Sequence, residues 1–322
     1  MNTPLTSDAG IRVPLVCGAM YPCSNPELVG AVSAAGGIGI IQPIALTYVH
    51  GHDFRAGVRI AQRIAGNNPL GFNALIEQSN KYYRTRMERW IELALAEGIR
   101  FFITSLGNPR WVVDRVSQVG GVVYHDVTAL KWALKGRDAG VRGLIAVNSR
   151  AGGHAGDKSA EALLDELRPV GLPVVCAGGL GTPQDFRRVM DMGYAGAQLG
   201  TRFIATTDCS ASADYKQAIV DATAADIVLT ERLTGVPVAV INNSYVGQLG
   251  LKAGPIARWM LQHRRMKHWM RTIYALRSLR QLKRDLGVKR GAEEYWQAGA
   301  SVDGIEGVMP AGQILREFEA AL

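Results

Sequence analysis

A chain of 322 residues, 48% hydrophobic and 20% charged, is long enough for a large core and too mixed in composition to be disordered, collagen-like or of low complexity. The net charge of +8 is concentrated: twelve Lys or Arg and a single acid, Asp285, lie between Lys252 and Arg290, while the rest of the chain carries 24 basic and 27 acidic residues. A uniformly basic surface is thereby excluded, and any charge-based role belongs to that one segment. Met1–Gly10 is polar and lacks the apolar core of a signal peptide. The uncharged run from Leu28 past Tyr48 has membrane-spanning length, but Gly30, Gly36, Gly37, Gly39, Gln42 and Pro43 break it into a helix, a turn and a buried strand. The expectation is a soluble, cytoplasmic protein with no stable membrane insertion. Cys17, Cys23, Cys176 and Cys209 form neither a Cys-x-x-Cys pair nor a zinc set with histidine, and read as reduced thiols.

Short apolar, β-branched runs then recur in chain order. They predict strands at Val13–Ala19, Ile38–Gln42, Leu70–Leu75, Phe101–Ser105, Val122–His125, Gly143–Val147, Val174–Ala177 and Gly196–Leu199. The runs are continuous rather than alternating, as expected of parallel strands buried on both faces. Helix-start signals lie between them: Asn25-Pro26-Glu27, Asn108-Pro109, and Thr182-Pro183-Gln184-Asp185. Helices are predicted over Asn80–Glu97 and, for the eighth unit, Asp208–Thr223. Strand–helix alternation at this spacing implies a closed barrel or a long open sheet. The first strand leads into Cys17-Gly18-Ala19-Met20-Tyr21-Pro22, which is not a dinucleotide loop, whereas glycine-rich turns follow strands six, seven and eight. A (β/α)8 TIM barrel holds phosphate after its last two strands, so this placement favours the α/β barrel. The division expected is a barrel over 1–225 and a C-terminal extension over 226–322 packed on it. That extension contains a basic amphipathic helix or helix pair over 254–286 and a short closing helix over Pro310–Leu322.

The glycine-rich turns carry the chemistry. Strand seven runs into Gly178-Gly179-Leu180-Gly181 before a capped helix, where backbone N–H groups and the helix N-terminus are expected to form an anion site. Strand eight runs into Gly200-Thr201, which adds N–H groups and a hydroxyl. Strand six runs into Ala151-Gly152-Gly153-His154-Ala155-Gly156. A histidine set among glycines at the rim suits a general base or a hydrogen-bond partner for an anion, with open space beside it for a planar ligand. The plain alternatives are glycines serving tight turns and a histidine in a flexible loop.

Those three motifs, with Gly18-Ala19-Met20, Gly71-Phe72-Asn73, Leu199-Gly200-Thr201-Arg202-Phe203 and Ala311-Gly312-Gln313, resemble the nitronate monooxygenase superfamily. That superfamily also contains NAD(P)H:quinone reductases and flavin-type enoyl-acyl-carrier-protein reductases. The resemblance covers nearly the whole chain and implies FMN at the C-terminal mouth of the barrel. Carried over by position, Ala19 and Met20 contact the isoalloxazine ring, and Asn73 bonds the flavin or its ribityl chain. Gly153 belongs to the cofactor-binding set, and Gly178, Gly179, Gly200 and Thr201 hold the phosphate. His154 is the implied catalytic residue, removing a carbon-bound proton from a nitroalkane or orienting a nitronate. Asp126 stands where some relatives carry Lys, and is read either as reaching ribityl hydroxyls or as capping a helix. Tyr21 and Cys23, in a strand-one loop that departs from the usual pattern, are candidates for the substrate pocket.

The implied activity is an FMN-dependent monooxygenase oxidising alkyl nitronates with O2. The alternatives are an NAD(P)H-dependent flavin reductase acting on quinones or enoyl thioesters, and a non-catalytic barrel that binds an anionic partner. The Arg-rich segment, with Trp269, Ile273 and Leu276 on one side and Arg271, Arg277 and Arg280 on others, reads as a solvated face. Sharper readings are recruitment of NAD(P)H or of an acyl-carrier phosphopantetheine, or contact with an anionic membrane surface or nucleic acid. No helix-turn-helix or zinc-finger pattern points to nucleic acid. The partner expected is a small-molecule substrate, with a homo-oligomer left open.

Overall fold

A strand whose two faces are both apolar needs cover on both sides, and a closed parallel barrel ringed by helices supplies it. The computed structural model describes residues 1–77, 81–232, 236–252 and 295–322. Eight parallel strands close in sequence order: β1 (Leu15–Cys17), β2 (Ile38–Ile41), β3 (Leu70–Leu75), β4 (Phe101–Ser105), β5 (Val122–Val127), β6 (Gly143–Val147), β7 (Val174–Ala177) and β8 (Gly196–Leu199). Closure rests on the β1–β8 ladder, with Val16 opposite Gln198 and Cys17 opposite Leu199. Each predicted strand is present, and the first is shorter than the apolar run that announced it.

Helices fill the connections: α1 (Pro4–Ala9), α2 (Pro26–Ala34), α3 (Phe54–Ala65), α4 (Lys81–Ala96), α5 (Arg110–Ser117), α6 (Leu130–Asp138), α7 (Ala160–Leu167), α8 (Pro183–Met192), α9 (Thr201–Ile204) and α10 (Ala213–Asp221). A hairpin of β9 (Ile227–Thr230) and β10 (Val238–Ile241), then α11 (Ser244–Leu249) and α12 (Ala311–Ala320), complete the described chain. No helix among the described residues is long and apolar enough to cross a membrane; the uncharged run from Leu28 is α2, β2 and a five-residue π-helical turn at Ala45–Val49. The basic helix expected over 254–286 lies outside the described residues.

Two apolar layers result. Val16, Ile38, Ile40, Phe101, Ile103, Tyr124, Ile145 and Val175 point into the barrel. Leu15, Leu28, Val32, Phe72, Phe102, Leu163, Phe186 and Phe203 fill the layer between strands and helices. The barrel floor is plugged from below by Leu5, Ala9 and Ile11 of α1 and the turn after it. The Tyr124 hydroxyl donates to Asp8 Oδ2 at 3.0 Å, and Arg142 donates to Asp8 Oδ1 at 3.2 Å. Tyr124 has room because Gly143 lies beside its ring, where any Cβ would collide.

The sequence assigned the eighth helix to Asp208–Thr223, but the structure puts a different segment in the ring. Helix α10 occupies the middle of that stretch, while α12 packs against both α2 and α8 and fills the gap between the last and first units. Phe186 and Phe318 meet there with ring centroids 5.7 Å apart, and Ala311 N–H donates to Asp208 Oδ2 at 2.7 Å. The last segment of the chain is thus part of the barrel wall. Asn25 is also redirected: it makes no side-chain cap on α2. Its amide donates to the Asp208 carbonyl at 2.9 Å and accepts from Ser210 N–H at 3.0 Å, tying the loop after β1 to the loop after β8.

Candidate active site

All eight strands end on one face, so the turns after β6, β7 and β8 and the ends of β1, β3 and β5 share the barrel mouth. At the β1–β8 seam, Gly18 N–H donates to the Leu199 carbonyl at 3.0 Å. This sets Ala19 and Met20 beside Gly200, where a Cβ would have Met20 Sδ as nearest neighbour at 3.6 Å. Gly18 itself allows the Gln198 side chain to pass over it; a Cβ there would lie 3.0 Å from Gln198 Cδ.

The β6 and β7 turns are bound to each other through Asn148, which is 1% exposed. Its Nδ2 donates to the Gly178 carbonyl at 2.9 Å and its Oδ1 accepts from Arg150 N–H at 2.8 Å. Gly178 and Gly179 have φ of +117° and +76°, and a Cβ on either would strike the 148–151 backbone or the Arg150 side chain. The histidine loop is clamped from outside as well. The Gly153 carbonyl accepts from Ala239 N–H of β10 at 2.8 Å, and the Arg150 carbonyl accepts from Ala300 N–H at 3.0 Å. Gly153 has φ +68°, and His154 next to it is exposed. The loop that carries His154 is thus bonded to the β7 turn, to β10 and to Ala300.

The anion site differs from the sequence expectation in one respect. The Asp185 carboxylate of α8 accepts from Gly181 N–H at 3.2 Å, Thr182 N–H at 3.1 Å and the Thr182 hydroxyl at 2.9 Å. The capping box predicted from Thr182 and Asp185 is present, and it fills the α8 N-terminus with the chain's own negative charge. The chain's own carboxylate thus takes the Gly181 and Thr182 N–H groups and disfavours a second anion at that helix end. The backbone N–H groups of Gly178, Gly179, Gly200 and Thr201 have no hydrogen-bond acceptor among the described residues. The Thr201 hydroxyl accepts from Gly299 N–H at 3.0 Å and keeps its own proton to donate. Arg202, 4% exposed, is structural: it donates to the Gly307 carbonyl at 3.1 Å, and burial pulls its guanidinium below its ordinary range.

Across the mouth stand Asn73 on β3, half-buried, and Asp126 on β5. Asp126 caps no helix: Ala129 precedes α6, which has no side-chain cap. Its Oδ1 is buried without a hydrogen-bond partner, and burial pushes the carboxyl up to about 7. Gln198 Oε1, on β8, is likewise buried and unpartnered. His125, between Tyr124 and Asp126, points outward, bonds the Thr104 hydroxyl through Nδ1 at 2.9 Å, and is pulled down to about 4 by burial. Of the two candidate pocket residues, Tyr21 is half-buried, while Cys23 is 3% exposed in the outer apolar layer. The Cys23 carbonyl accepts from Cys209 Sγ at 3.5 Å, and the hydrogen bond between the two thiols pushes Cys23 above its ordinary range.

Two buried side-chain oxygens without partners, a set of free backbone N–H groups and a glycine floor at Gly200 form a polar mouth over an apolar barrel. That set fits a flavin mononucleotide, whose hydroxyls and ring N–H are donors and whose ring carbonyls, ring nitrogens and phosphate are acceptors. Sequence reasoning missed Asn148 and Gln198 as site-building residues. Each was a lone polar side chain at the end of an apolar strand, which was the available signal.

The nitronate monooxygenase family profile matches residues 2–319. A carboxyl-CoA dehydrogenase of Mycobacterium tuberculosis acting on a hydroxy-methyl-oxo-octahydroindene acyl group is 26% identical, over 100% of this chain and 88% of the relative. A probable nitronate monooxygenase of Staphylococcus saprophyticus is 24% identical, over 77% of this chain and 81% of its own. Among solved structures, FabK from Thermotoga maritima superposes with a TM-score of 0.78 at 24% identity, covering 100% and 96% of the two chains. Nitroalkane oxidase from Streptomyces ansochromogenes superposes at 0.76 and 23% identity, covering 99% of each chain. The last two show likeness of fold alone. With the whole chain matched by the profile and the mouth built as described, this protein belongs to the nitronate monooxygenase family and is a flavin-dependent oxidoreductase.

Proposed function

We propose that the flavin is FMN and that the enzyme oxidises alkyl nitronates with O2, with His154 as the group that handles the substrate. The observation that carries this reading is the coincidence at one mouth of four unengaged backbone N–H groups, at Gly178, Gly179, Gly200 and Thr201, with a clamped loop presenting His154. Backbone N–H groups at two neighbouring strand ends suit a phosphate. Ala19 and Met20 would flank the isoalloxazine ring, Gly153 would lie against the cofactor, and Asn73, Asp126 and Gln198 would meet its polar atoms. Bound flavin supplies the electron acceptor and the site of reaction with oxygen. An imidazole at the rim takes the carbon-bound proton of a neutral nitroalkane, or holds the oxygens of a nitronate already formed.

A second reading has one specific support. The carboxyl-CoA dehydrogenase is similar over the full length of this chain, which favours dehydrogenation of an acyl-CoA thioester at the same mouth. The test is an anaerobic absorbance titration of the purified protein with nitronate, NADH, NADPH and an acyl-CoA in turn. Bleaching or semiquinone formation with nitronate alone supports the first reading. Bleaching by the thioester supports the second. Bleaching by a nicotinamide makes the enzyme a reductase, and a protein that carries no flavin and takes up none overturns the FMN assignment.

A further inference from the structure

The mouth holds one carboxyl group that its surroundings leave unanswered. Strand alternation sends Tyr124 and Asp126 into the barrel and His125 outward. Asp126 is level with Ile145 on β6. By alternation, its inward neighbours are Ile103 and Ser105 on β4 and Ile145 and Val147 on β6, none of them charged. Below it, Tyr124 is engaged with Asp8. His125, the adjacent titratable group, is turned away and bonded to Thr104, and Lys135 of α6 bears on His125 rather than on Asp126. No charged side chain among the described residues acts on the Asp126 carboxyl, which burial alone displaces. Its Oδ1 has no donor, and the other buried unmet polar atom of the mouth, Gln198 Oε1, is an acceptor too and cannot help.

Asp126 is half-buried as a residue, but an ionised carboxylate with one oxygen buried beside neither donor nor counter-charge is a costly occupant of such a position, whereas a neutral carboxyl has an O–H to give. The isoalloxazine ring carries carbonyl oxygens and ring nitrogens that accept. We propose that Asp126 acts as a protonated carboxyl that donates one hydrogen bond to an acceptor atom of the bound flavin, so that loss of its proton weakens flavin binding. This rests on the flavin-mouth reading above. It makes Asp126 a binding group whose charge state gates the site: neutral, it tolerates the negative charge of a reduced flavin or a nitronate, and ionised, it repels both.

The test uses flavin-free full-length protein and FMN, with affinity read from quenching of FMN fluorescence. For the wild type, the dissociation constant is expected to rise by up to about thirtyfold between about pH 6 and about pH 8.5, the loss of protonated Asp126 for a midpoint of about 7. Asp126→Asn keeps a neutral donor of the same shape and is expected to bind as the acidic wild type does across the range. Asp126→Leu is expected to bind weakly at both ends. The FMN phosphate titrates alike in all three, so the difference between variants isolates Asp126. In parallel, carbon-13 NMR of the Asp carboxyl groups, assigned through Asp126→Asn, reads the midpoint without any flavin. An Asp126 midpoint in the ordinary carboxylate range, or an Asp126→Asn profile parallel to the wild type, overturns the proposal while leaving FMN binding intact. Failure of every variant to bind FMN at any pH overturns the FMN reading and this proposal with it.

Discussion

The two ends of β5 are built on opposite rules. At the floor, Tyr124 and Asp8 satisfy each other, Arg142 completes the set, and α1 seals the opening with Leu5 and Ala9. At the mouth, about 7 Å further along the same strand, Asp126 Oδ1 is buried with no partner, and across the barrel Gln198 Oε1 is in the same state. The floor is a finished piece of packing; the mouth is a set of polar groups awaiting a ligand. A barrel can carry such unmet groups because the stability they cost is supplied at the other end.

The largest effect that would break this contrast is at the floor. Gly143→Val places methyl groups against the Tyr124 ring, and it is expected to lower the unfolding free energy by about 3 kcal/mol or more in chemical denaturation. A smaller loss would mean that the floor is as loosely packed as the mouth. Next comes the pH dependence of stability. The Asp126 carboxyl is raised from 3.8 to about 7 in the folded protein, so the folded state binds more protons between those values. Its contribution is full below about pH 4 and is lost as pH rises through about 7, on the order of a few kcal/mol. His125 is displaced the other way, from 6.5 to about 4, so its contribution is present above 6.5 and lost as pH falls through about 4. The two limbs oppose each other. Denaturation of Asp126→Asn across this window should therefore uncover a stability that falls on acidification, where the wild type is flatter.

Asn148→Ala removes the side-chain bond from the β6 turn to the Gly178 carbonyl and the bond that shapes the β6 turn itself, and is expected to cost about 1–3 kcal/mol, with weaker FMN retention on dialysis. Tyr124→Phe gives up one hydrogen bond to Asp8, for about 1 kcal/mol in denaturation and no change in FMN affinity. If flavin affinity moved with it, floor and mouth would not be separable. The smallest effect on stability belongs to His154→Ala, within about 0.5 kcal/mol because the side chain is exposed. Turnover in that variant is expected to fall about 10²- to 10⁴-fold in steady-state assays, with flavin content unchanged.

Much of this was legible in the chain. The eight strands were readable because a strand covered on both faces is apolar on both faces, and no alternation confuses it with a half-exposed one. The capping box at Thr182 and Asp185 was readable because capping is local, and so were the glycine turns after strands six, seven and eight. What the cap does to the anion site was not, because a carboxylate that caps a helix also takes N–H groups of the preceding turn. Cys23 was expected near the substrate and packs beside Cys209, nearly two hundred residues away in sequence.

Local patterns, then, determined the order and type of elements, the face on which the turns gather and the identity of the histidine loop. These depend on residues within a few positions of one another. Only the tertiary structure decided the register in which β1 meets β8, that α12 rather than Asp208–Thr223 completes the helix ring, and that Asn148 joins two turns. It also decided that Asp126 Oδ1 lies buried beside no charge. Each of those is a contact, or the lack of one, between segments distant in sequence, and burial in a shared interior is a property no single segment possesses.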